Sequence, residues 1–332
     1  MQVVRWGILG CGNIARKFVQ AVETVEGAVV QAAASRSLEK AQKFAHDWNI
    51  PLAYGGYEKL WETGSVDAVY IATPHNTHFT YARQALLAGM PVLCEKPFTV
   101  TAAEAWELRR IAQEKHVFCM EAMWTRMLPV MRRMQEMVRR GDIGQVQRVA
   151  AQYCFSGAFD PSSRLYHPGL AGGALLDVGV YPLAAAAMIW GSSPQFVQAA
   201  CIKGETGVDE MTIMQLKYKA GSAYLSCGIS MRFPALLRVE GTEGTLEVPR
   251  FYSGEHLTVT HKDDSQETVY LPFRKNGFEY EIEEAGRALC QGDWQSSLMP
   301  LDESARMMEL LDEVRRQCGI VYPFEVDKSG KE

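Results

Sequence analysis

The sequence lacks paired cysteines, blocks of like charge and long apolar runs, and each absence excludes a class of protein. The eight cysteines of this 332-residue chain are scattered without a C-x-x-C pair, which suits reduced thiols rather than disulfides or a zinc site. The net charge is −5 and no Lys/Arg block stands out, so we expect neither nucleic acid nor a membrane surface as a partner. Apolar stretches such as LAAAAMIW (183–190) are far shorter than the ~20 residues that span a bilayer.

We also expect no secretion signal, because MQVVRWGILGCG leads directly into a strand and a turn. These features together predict a cytoplasmic globular protein. At roughly 150 residues per domain, the length predicts two domains. The hydrophobic periodicity changes after the first third of the chain, so we assign residues 1–123 to a nucleotide-binding domain and 124–332 to a substrate-binding domain.

The clearest positive signal is a glycine pattern at the N-terminus. VVRWGILG (3–10) has the nearly continuous apolar character of a parallel strand buried on both faces. GCGNIA (10–15) follows, and then a helix-like stretch, which is the context that a dinucleotide fingerprint requires. Gly10 allows the tight turn, and Gly12 lets the backbone approach a pyrophosphate at the helix N-terminus.

The end of the second predicted strand distinguishes between NADP and NAD. Sites that prefer NAD usually carry an acidic residue here for the ribose 2′-hydroxyl, whereas this chain has Ser35-Arg36-Ser37. A guanidinium beside two hydroxyls suits a 2′-phosphate, so we expect NADP rather than NAD. The alternative is a solvated helix start in which Ser37 is the N-cap.

Strand-like and helix-like segments continue to alternate up to residue 123, which predicts a doubly wound parallel sheet of the Rossmann type. Ligands of such sheets bind at the carboxyl ends of the strands. IATPHNTH and CEKP both lie at such ends. The predicted cofactor-binding residues are Gly10, Gly12, Asn13, Ile14, Ser35, Arg36, Thr73, Pro74, His75, Glu95 and Lys96.

The H-x-x-H pair formed by His75 and His78 could suggest a metal site. No cysteine or carboxylate motif accompanies the two histidines, so we predict no metal and place them along the cofactor crevice. For His78, a local hydrogen bond at a helix start is the simpler alternative.

The remainder of the chain predicts an α+β domain with a large, mainly antiparallel sheet. Several β-type runs separated by turn residues lie between residues 145 and 273. They are interrupted by a glycine-bounded helix (172–191) and followed by an amphipathic helix (304–319). A sheet with one face free of helices would leave apolar surface exposed, so we expect a homodimer formed through that face.

Three stretches together, GILGCGNIA, CEKP and GGALLDVGVYP, resemble the glucose–fructose oxidoreductase/inositol dehydrogenase (Gfo/Idh/MocA) family over nearly the whole chain. MEAMWTRMLP (120–129) and TGVDEMT (206–212) are similar to its dimeric dihydrodiol dehydrogenase branch. The resemblance implies an NADP-dependent oxidoreductase. It implies oxidation of trans-dihydrodiols or aldopyranoses such as xylose, and reduction of dicarbonyls.

The resemblance also assigns roles to residues. It identifies Lys96 as the lysine of the family's E-K-P motif. Many members have D-x-x-x-H in the later helix, but this chain has Asp177 followed by Tyr181, as in the tyrosine-using branches. This departure argues against inositol-type polyols. By analogy, Trp124 and Phe155 would form an aromatic wall for the substrate, and His78 would contact it.

Proton transfer explains why the family pattern needs Lys96 and Tyr181. A tyrosine with a pKa of ~10 is a poor base near neutrality, and an ammonium nearby would lower that pKa. We therefore predict that Tyr181 is the acid/base, that Lys96 assists it, and that Asp177 orients a second hydroxyl.

Each of these residues also has an ordinary structural explanation. Lys96 could be a solvated strand end, Asp177 the partner of a cation, and Tyr181 a helix residue with a satisfied hydroxyl. Trp124 and Phe155 could be core residues. The alternative functions are a reductase of an anhydro- or keto-sugar and a non-catalytic NADP-binding sensor.

Overall fold

A computed structural model describes residues 3–325, which fall into two units. The first consists of residues 3–124 and 273–305, and the second of residues 125–272 and 306–325. The first break lies next to the predicted boundary. Residues 273–305, which we assigned to the predicted second domain (124–332), cluster with the first unit. This later segment returns from a distant part of the sequence, which local periodicity cannot reveal.

The first unit contains a parallel sheet of the predicted type. Its six strands follow the order β3-β2-β1-β4-β5-β6, and the order reverses between β1 and β4. Most of their residues are buried, as expected for strands covered on both faces. The strands are β1 (Val4–Leu9), β2 (Ala28–Ser35), β3 (Leu52–Gly55), β4 (Ala68–Ile71), β5 (Val92–Glu95) and β6 (Cys119–Ala122).

The helices begin and end largely at residues that can be recognised as helix boundaries in the sequence. The Ser37 hydroxyl accepts the N–H of Lys40 at 3.3 Å, so its predicted role as an N-cap is confirmed. The helices are α1 (Asn13–Val22), α2 (Leu38–Asp47), α3 (Lys59–Glu62), α4 (His78–Leu87), α5 (Ala102–Lys115), α6 (Pro129–Arg140), α7 (Val180–Trp190), α8 (Glu279–Gln291) and α9 (Leu301–Cys318).

Three short or distant elements were not anticipated, namely β3, α3 and α8. Helix α6 begins at Pro129, because proline suits the first position of a helix. The preceding Trp124–Arg126 forms a separate 3₁₀ turn.

The second unit contains the predicted mainly antiparallel sheet. Its eight strands follow the order β14-β13-β12-β11-β7-β10-β9-β8, and the β7–β10 pair is parallel while the others are antiparallel. The strands are β7 (Val146–Ser156), β8 (Phe196–Lys203), β9 (Asp209–Lys217), β10 (Ser222–Gly228), β11 (Ser230–Gly241), β12 (Gly244–Pro249), β13 (His256–His261) and β14 (Gln266–Tyr270).

Helix α7 packs against β7 and β10 on one face of this sheet and is apolar on all sides. A five-residue π-helical turn, Leu175–Gly179, leads directly into it. Within residues 3–325, the helical segment Pro168–Trp190 is long and apolar enough to cross a membrane by length and composition alone. However, 94% of its apolar window is buried inside the fold, as in the core helix of a globular protein.

Candidate cofactor and substrate sites

Four neighbouring strands of the parallel sheet end at the same level. Leu9 of β1 pairs with Ala34 of β2 and with Ile71 of β4, and Ile71 pairs with Cys94 of β5. The loops that carry the predicted cofactor residues therefore leave one edge of the sheet side by side. This edge includes the point where the strand order reverses, which is where such sheets bind nucleotides.

The glycine loop after β1 is shaped to receive an anion. Gly10 has φ +95°, and a Cβ there would lie 2.7 Å from the carbonyl oxygen of Ala72. A Cβ on Gly12 would meet no atom within 4 Å, so open space lies beside this backbone. Helix α1 begins at Asn13 without a side-chain cap or an acidic residue in its first turn. The exposed Asn13 and half-buried Ile14 belong to that first turn, whose N–H groups suit a pyrophosphate.

The loop after β2 carries a cation and no carboxylate. Ser35 is buried at the strand end, and Arg36 next to it is exposed. The sequence analysis missed Tyr57, which Arg36 of this loop influences electrostatically, and Tyr81, whose ring meets that of Tyr57 edge-to-face at 4.7 Å. Burial raises the pKa of Tyr57, as does Tyr81, while the Arg36 guanidinium acts in the opposite direction. These residues fit a phosphorylated ribose rather than a bare 2′-hydroxyl.

The loop after β4 is held together by its own side chains. The Thr77 hydroxyl donates to the Thr73 hydroxyl at 2.9 Å and to the Pro74 carbonyl at 2.7 Å. His75 is buried, and its ring lies 5.8 Å from that of His78. The loop therefore has a fixed shape at the sheet edge.

His78, a predicted substrate contact, makes two contacts with backbone carbonyl groups through its ring. It is fully buried, and its Nδ1 and Nε2 lie 2.8 and 2.9 Å from the carbonyl oxygens of Pro97 and Thr73. Burial lowers the pKa of His78, whereas the two carbonyl contacts favour its protonated form. Its side chain thus joins the loops that follow β4 and β5, as the simpler reading of a local hydrogen bond suggested.

Lys96 lies immediately beyond β5, in a turn whose backbone is anchored by carboxylates. Its own N–H contacts Oε2 of Glu95 at 3.3 Å, and the N–H of Phe98 donates to Oε1 of Glu121 at 3.2 Å. Tyr70 donates a hydrogen bond to Oε1 of Glu95. Lys96 itself is half-buried. The E-K-P turn therefore holds its lysine at the same edge as the glycine loop.

A further carboxyl group, Glu281 of α8, is fully buried in the same unit. Neither of its oxygens accepts a hydrogen bond from residues 3–325. Burial raises the pKa of Glu281 well above its usual value, and the nearby Glu95 raises it further. Both effects favour the protonated form of Glu281. The sequence analysis missed it because α8 was not predicted.

We expect Glu281→Gln to flatten the pH dependence of stability. The unfolded chain releases this proton near pH 4.3, whereas the folded protein keeps it to a much higher pH, so its stabilising contribution is lost as pH rises. The loss amounts to about 1.4 kcal/mol per pH unit between the two pKa values. Glutamine is neutral throughout, so thermal unfolding between pH 5 and 8 should shift less in this variant.

Glu283→Gln is the matched control for Glu281→Gln. Glu283 lies in the same helix, but it is 40% exposed and pairs with Arg274 at 2.6 Å. Its substitution should leave the pH dependence close to that of the wild type. Equal slopes in Glu281→Gln and wild type would show that Glu281 is already ionised in the folded protein.

In the second unit, Tyr181 is surrounded by other tyrosines. It is buried in the first turn of α7, and its ring lies 5.6 Å from Tyr153 and 6.0 Å from Tyr252. The Tyr153 and Tyr252 rings are stacked at 3.9 Å and nearly parallel. Burial raises the pKa of Tyr153, and Tyr252, Tyr181 and Asp177 add to the effect. Tyr153 and Tyr252 were not anticipated, although the first lies on the same strand face as the predicted Phe155.

Asp177 is buried in the π-helical turn and paired with a cation. Nη1 of Arg164 lies 2.8 Å from its Oδ1, and the Arg164 side chain is 55% exposed while that of Asp177 is 6% exposed. The pairing matches the ordinary explanation of Asp177 as the partner of a cation. Asp177 and the three tyrosines together form a polar, aromatic site at the start of α7.

The two predicted wall residues belong to different units. Phe155 is half-buried, 6.1 Å from Tyr153 on the same strand. Trp124 belongs to the first unit, where it is 9% exposed and packs against Phe278 with ring centroids 4.9 Å apart. Each aromatic residue thus has a ring partner of its own.

A dinucleotide-binding sheet combined with a large, mainly antiparallel sheet defines a class of nicotinamide-dependent oxidoreductases. A model of the oxidoreductase family with an NAD-binding Rossmann fold matches residues 4–123, and a GFO/IDH/MocA C-terminal domain model matches residues 131–247. The chain belongs to the Gfo/Idh/MocA oxidoreductase family, as its sequence motifs indicated.

Individual relatives agree with this assignment. The chain is 35% identical over 329 residues to trans-1,2-dihydrobenzene-1,2-diol dehydrogenase of Danio rerio, covering 96% of this chain and 98% of that protein. It is 33% identical over 366 residues to D-xylose 1-dehydrogenase (NADP(+)) of Hypocrea jecorina, with coverages of 96% and 93%. The structure of the 3-ketoreductase KijD10 from Actinomadura kijaniata, in complex with NADP and TDP-benzene, matches with a TM-score of 0.86 at 28% identity, with coverages of 96% and 98%.

Proposed function

We propose that this protein is an NADP-dependent oxidoreductase that transfers hydride between the nicotinamide and a vicinal diol, an aldopyranose or a dicarbonyl. The observation that carries this proposal is the edge of the parallel sheet, where an uncapped helix N-terminus, Arg36 and Lys96 follow strands that end in one row. Relatives that act on a trans-dihydrodiol and on D-xylose suggest the substrate class.

In this proposal, different segments of the chain bind different parts of the cofactor. The N–H groups of the first turn of α1 bind the pyrophosphate, and Gly12 leaves room for it. Arg36 binds the 2′-phosphate next to Ser35. The loops after β4 and β5, with Thr73 to His75 and Glu95 to Lys96, serve the nicotinamide half. Bound NADP supplies the hydride chemistry, while the protein supplies orientation and proton transfer.

We assign the proton transfer to Tyr181. The alcohol proton must leave or arrive as hydride moves, and a phenol is competent only if a positive charge stabilises its phenolate. Lys96 is our proposed source of that charge. The buried position of Tyr181 among tyrosine rings limits access of water to its hydroxyl.

The substrate side of the proposal rests on the cluster around α7. Asp177, which is paired with Arg164, offers its carboxylate to a sugar or diol hydroxyl. The stacked Tyr153 and Tyr252 present an aromatic surface suited to a flat ring or a pyranose face. Phe155 and Trp124 remain proposed contacts of the same substrate.

We expect Tyr181→Phe to reduce kcat by about 10²–10⁴-fold, the usual contribution of a positioned general acid or base. Lys96→Met should cause a loss of the same order. The Kd for NADP should stay within about twofold in Tyr181→Phe, because the variant changes no group assigned to the cofactor. Nicotinamide absorbance would be followed with trans-dihydrodiols, aldopyranoses and dicarbonyls.

Tyr270→Phe is the control, because this tyrosine is 73% exposed on the last strand of the sheet. It should retain wild-type kcat. If Tyr181→Phe kept most of the turnover, the acid/base assignment would be wrong. If the wild type bound NADP but turned over none of the substrates, the protein would be an NADP-binding protein without this activity.

Arg36 should determine the choice between NADP and NAD. Removing one charge-assisted partner of the 2′-phosphate costs about 1.5–3 kcal/mol, so Arg36→Ala should weaken NADP binding by roughly 10–150-fold and leave NAD binding unchanged. Titration calorimetry with both cofactors measures this difference. Lys40→Ala, on the exposed side of α2, should change neither affinity. Equal losses for NADP and NAD would contradict the assignment.

We also propose that the protein is a homodimer formed through the face of the second sheet opposite α7. Phe196, Ile213 and Tyr224 are 55%, 51% and 45% exposed on this sheet. A concavity of about 690 Å³ is lined by residues of the central strands, among them Ile213, Tyr224 and Arg148. Exposed apolar surface of this kind marks an interaction site, and a second copy of the chain offers a matching surface.

Sedimentation should therefore show a species of twice the 37.0 kDa chain mass at micromolar concentration. Ile213→Arg places an unpaired charge in the proposed interface and should yield the single-chain mass while NADP binding persists. Leu87→Arg, which changes a 42% exposed residue of α4, should leave the dimer intact. A wild-type protein that sediments only as a single chain would exclude the dimer.

A cytoplasmic location is our proposal from the cysteines. All eight lie within residues 3–325 and are free thiols, and Cys94, Cys119, Cys154 and Cys227 are buried. Buried reduced thiols suit a reducing compartment.

A further inference from the structure

The turn that precedes the proposed catalytic helix has an unusual backbone. Leu175–Gly179 forms a π-helical turn, and Gly173 before it has φ +120°. π-helical turns are rare, and the first N–H groups of any helix lack partners within the helix. The residues around this turn must therefore hold it in place, and with it the positions of Asp177 and Tyr181.

Asp209, at the start of β9, makes the contact that holds the turn. Its Oδ2 accepts the N–H of Leu175 and the hydroxyl of Thr212, each at 2.8 Å. The side chain is fully buried. Asp209 thus satisfies the first orphan N–H of the π-helical turn, although it is 34 residues away along the chain.

The second oxygen of Asp209 faces the same segment. Oδ1 accepts no hydrogen bond from residues 3–325. A Cβ on Gly173 would lie 2.2 Å from it, so the positive φ and the crowding both require glycine at that position. The carboxyl group is therefore enclosed against the start of the turn.

We infer that Asp209 is a positioning residue, whose ionised carboxylate anchors the π-helical turn and so orients Asp177 and Tyr181 for catalysis. This inference rests on the proposed function of Tyr181. A charged acceptor makes a shorter and stronger hydrogen bond with a backbone N–H than a neutral one does. Protonation of Asp209 would weaken the Leu175 contact and loosen the turn.

The groups that face Asp209 come from several elements. Arg315 of α9 is a cation that acts on Asp209 electrostatically, while Cys227 of β10, Cys318 of α9 and Tyr322 are titratable neighbours. The Arg315 guanidinium lies over the Tyr322 ring at 4.7 Å and pairs with Asp312 and Glu325. The Tyr322 hydroxyl donates to the Gly172 carbonyl at 2.9 Å, which gives the same segment a second stabilising contact.

The ionisation of Asp209 falls within the physiological range. Burial raises the pKa of Asp209 to about 7, although the Thr212 hydroxyl, the Leu175 N–H and Arg315 oppose the shift. Its unfolded pKa is ~3.9, so its contribution to stability is present below that pH and is lost as pH rises to about 7. Activity should change in the opposite direction, because the ionised form anchors the turn.

Asp209→Ala and Asp209→Asn test this inference, with kcat and KM measured from pH 5.5 to 8.5. Alanine removes the acceptor, so kcat at pH 7.5 should fall by about 10²-fold with the Kd for NADP unchanged. Asparagine offers only a neutral acceptor, as the protonated carboxyl does, so its kcat should stay near the value that the wild type reaches at low pH and should show no decrease of its own near pH 7. Asp263→Ala, which removes an exposed aspartate bonded to Ser265, should behave as wild type.

Hydrogen exchange gives a readout that does not depend on turnover. In Asp209→Ala, amide exchange should accelerate in residues 174–181 and stay unchanged in α1. If kcat and this exchange both remained at wild-type values, the inference would be overturned. If Tyr181→Phe retained its turnover while exchange accelerated in Asp209→Ala, the anchor would stand and the proposed catalytic role of Tyr181 would fail.

Thr212→Val provides a second variant in case Asp209→Ala does not fold. Valine removes one donor to the carboxylate, which raises the pKa of Asp209 further. The decrease of kcat at low pH (the acid limb) should then move to higher pH by up to about one unit. An acid limb that stays in place in Thr212→Val would contradict the assignment of that limb to Asp209.

Discussion

The common level at which β2, β1, β4 and β5 end is the constraint on which the first unit depends. Parallel pairing aligns Leu9, Ala34, Ile71 and Cys94 in one row, so the loops that follow these strands emerge together. Shifting one strand by a residue would move its side chains to the other face and displace its loop. The glycine loop, Arg36 and Lys96 owe their shared edge to this register.

The proposed function requires the second unit to hold a tyrosine and a carboxylate in fixed positions on an open sheet. Helix α7 is apolar throughout, so its orientation about its own axis is poorly specified by hydrophobic packing alone. Polar contacts at its beginning supply that orientation. Asp209 and Tyr322 both bind backbone groups of residues 172–175, immediately before Asp177.

Sequence reasoning succeeded where the signal is local. The strand, the glycine turn and the helix of the fingerprint are adjacent in the chain, and Ser37 caps the helix that immediately follows it. It failed where contacts join distant residues. Glu281 reaches the first unit from a helix beyond residue 272, and Tyr252 stacks on Tyr153 across about a hundred residues. Strand β3 was missed because its four residues, LAYG, carry too little periodicity. The assignment of Lys96 and Tyr181 came from family resemblance and stays a prediction.

The two units share the use of buried carboxyl groups close to the proposed reactive residues. Burying such a group costs stability unless it is neutralised or bonded. Burial and Glu95 raise the pKa of Glu281 well above its usual value, whereas burial raises that of Asp209 only to about 7 because two donors and Arg315 oppose the shift. At both positions, therefore, the burial of a carboxyl group lowers the stability of the fold next to a proposed functional segment.

The most direct test of the central claim is a single turnover with NADPH deuterated at the transferable C4 position and a dicarbonyl substrate, read by mass spectrometry. Wild-type protein should place one deuterium on the new carbinol carbon. Tyr181→Phe should bind the cofactor but transfer the deuterium at least about 100-fold more slowly. Bound cofactor without transfer in the wild type, or undiminished transfer in Tyr181→Phe, would contradict the account.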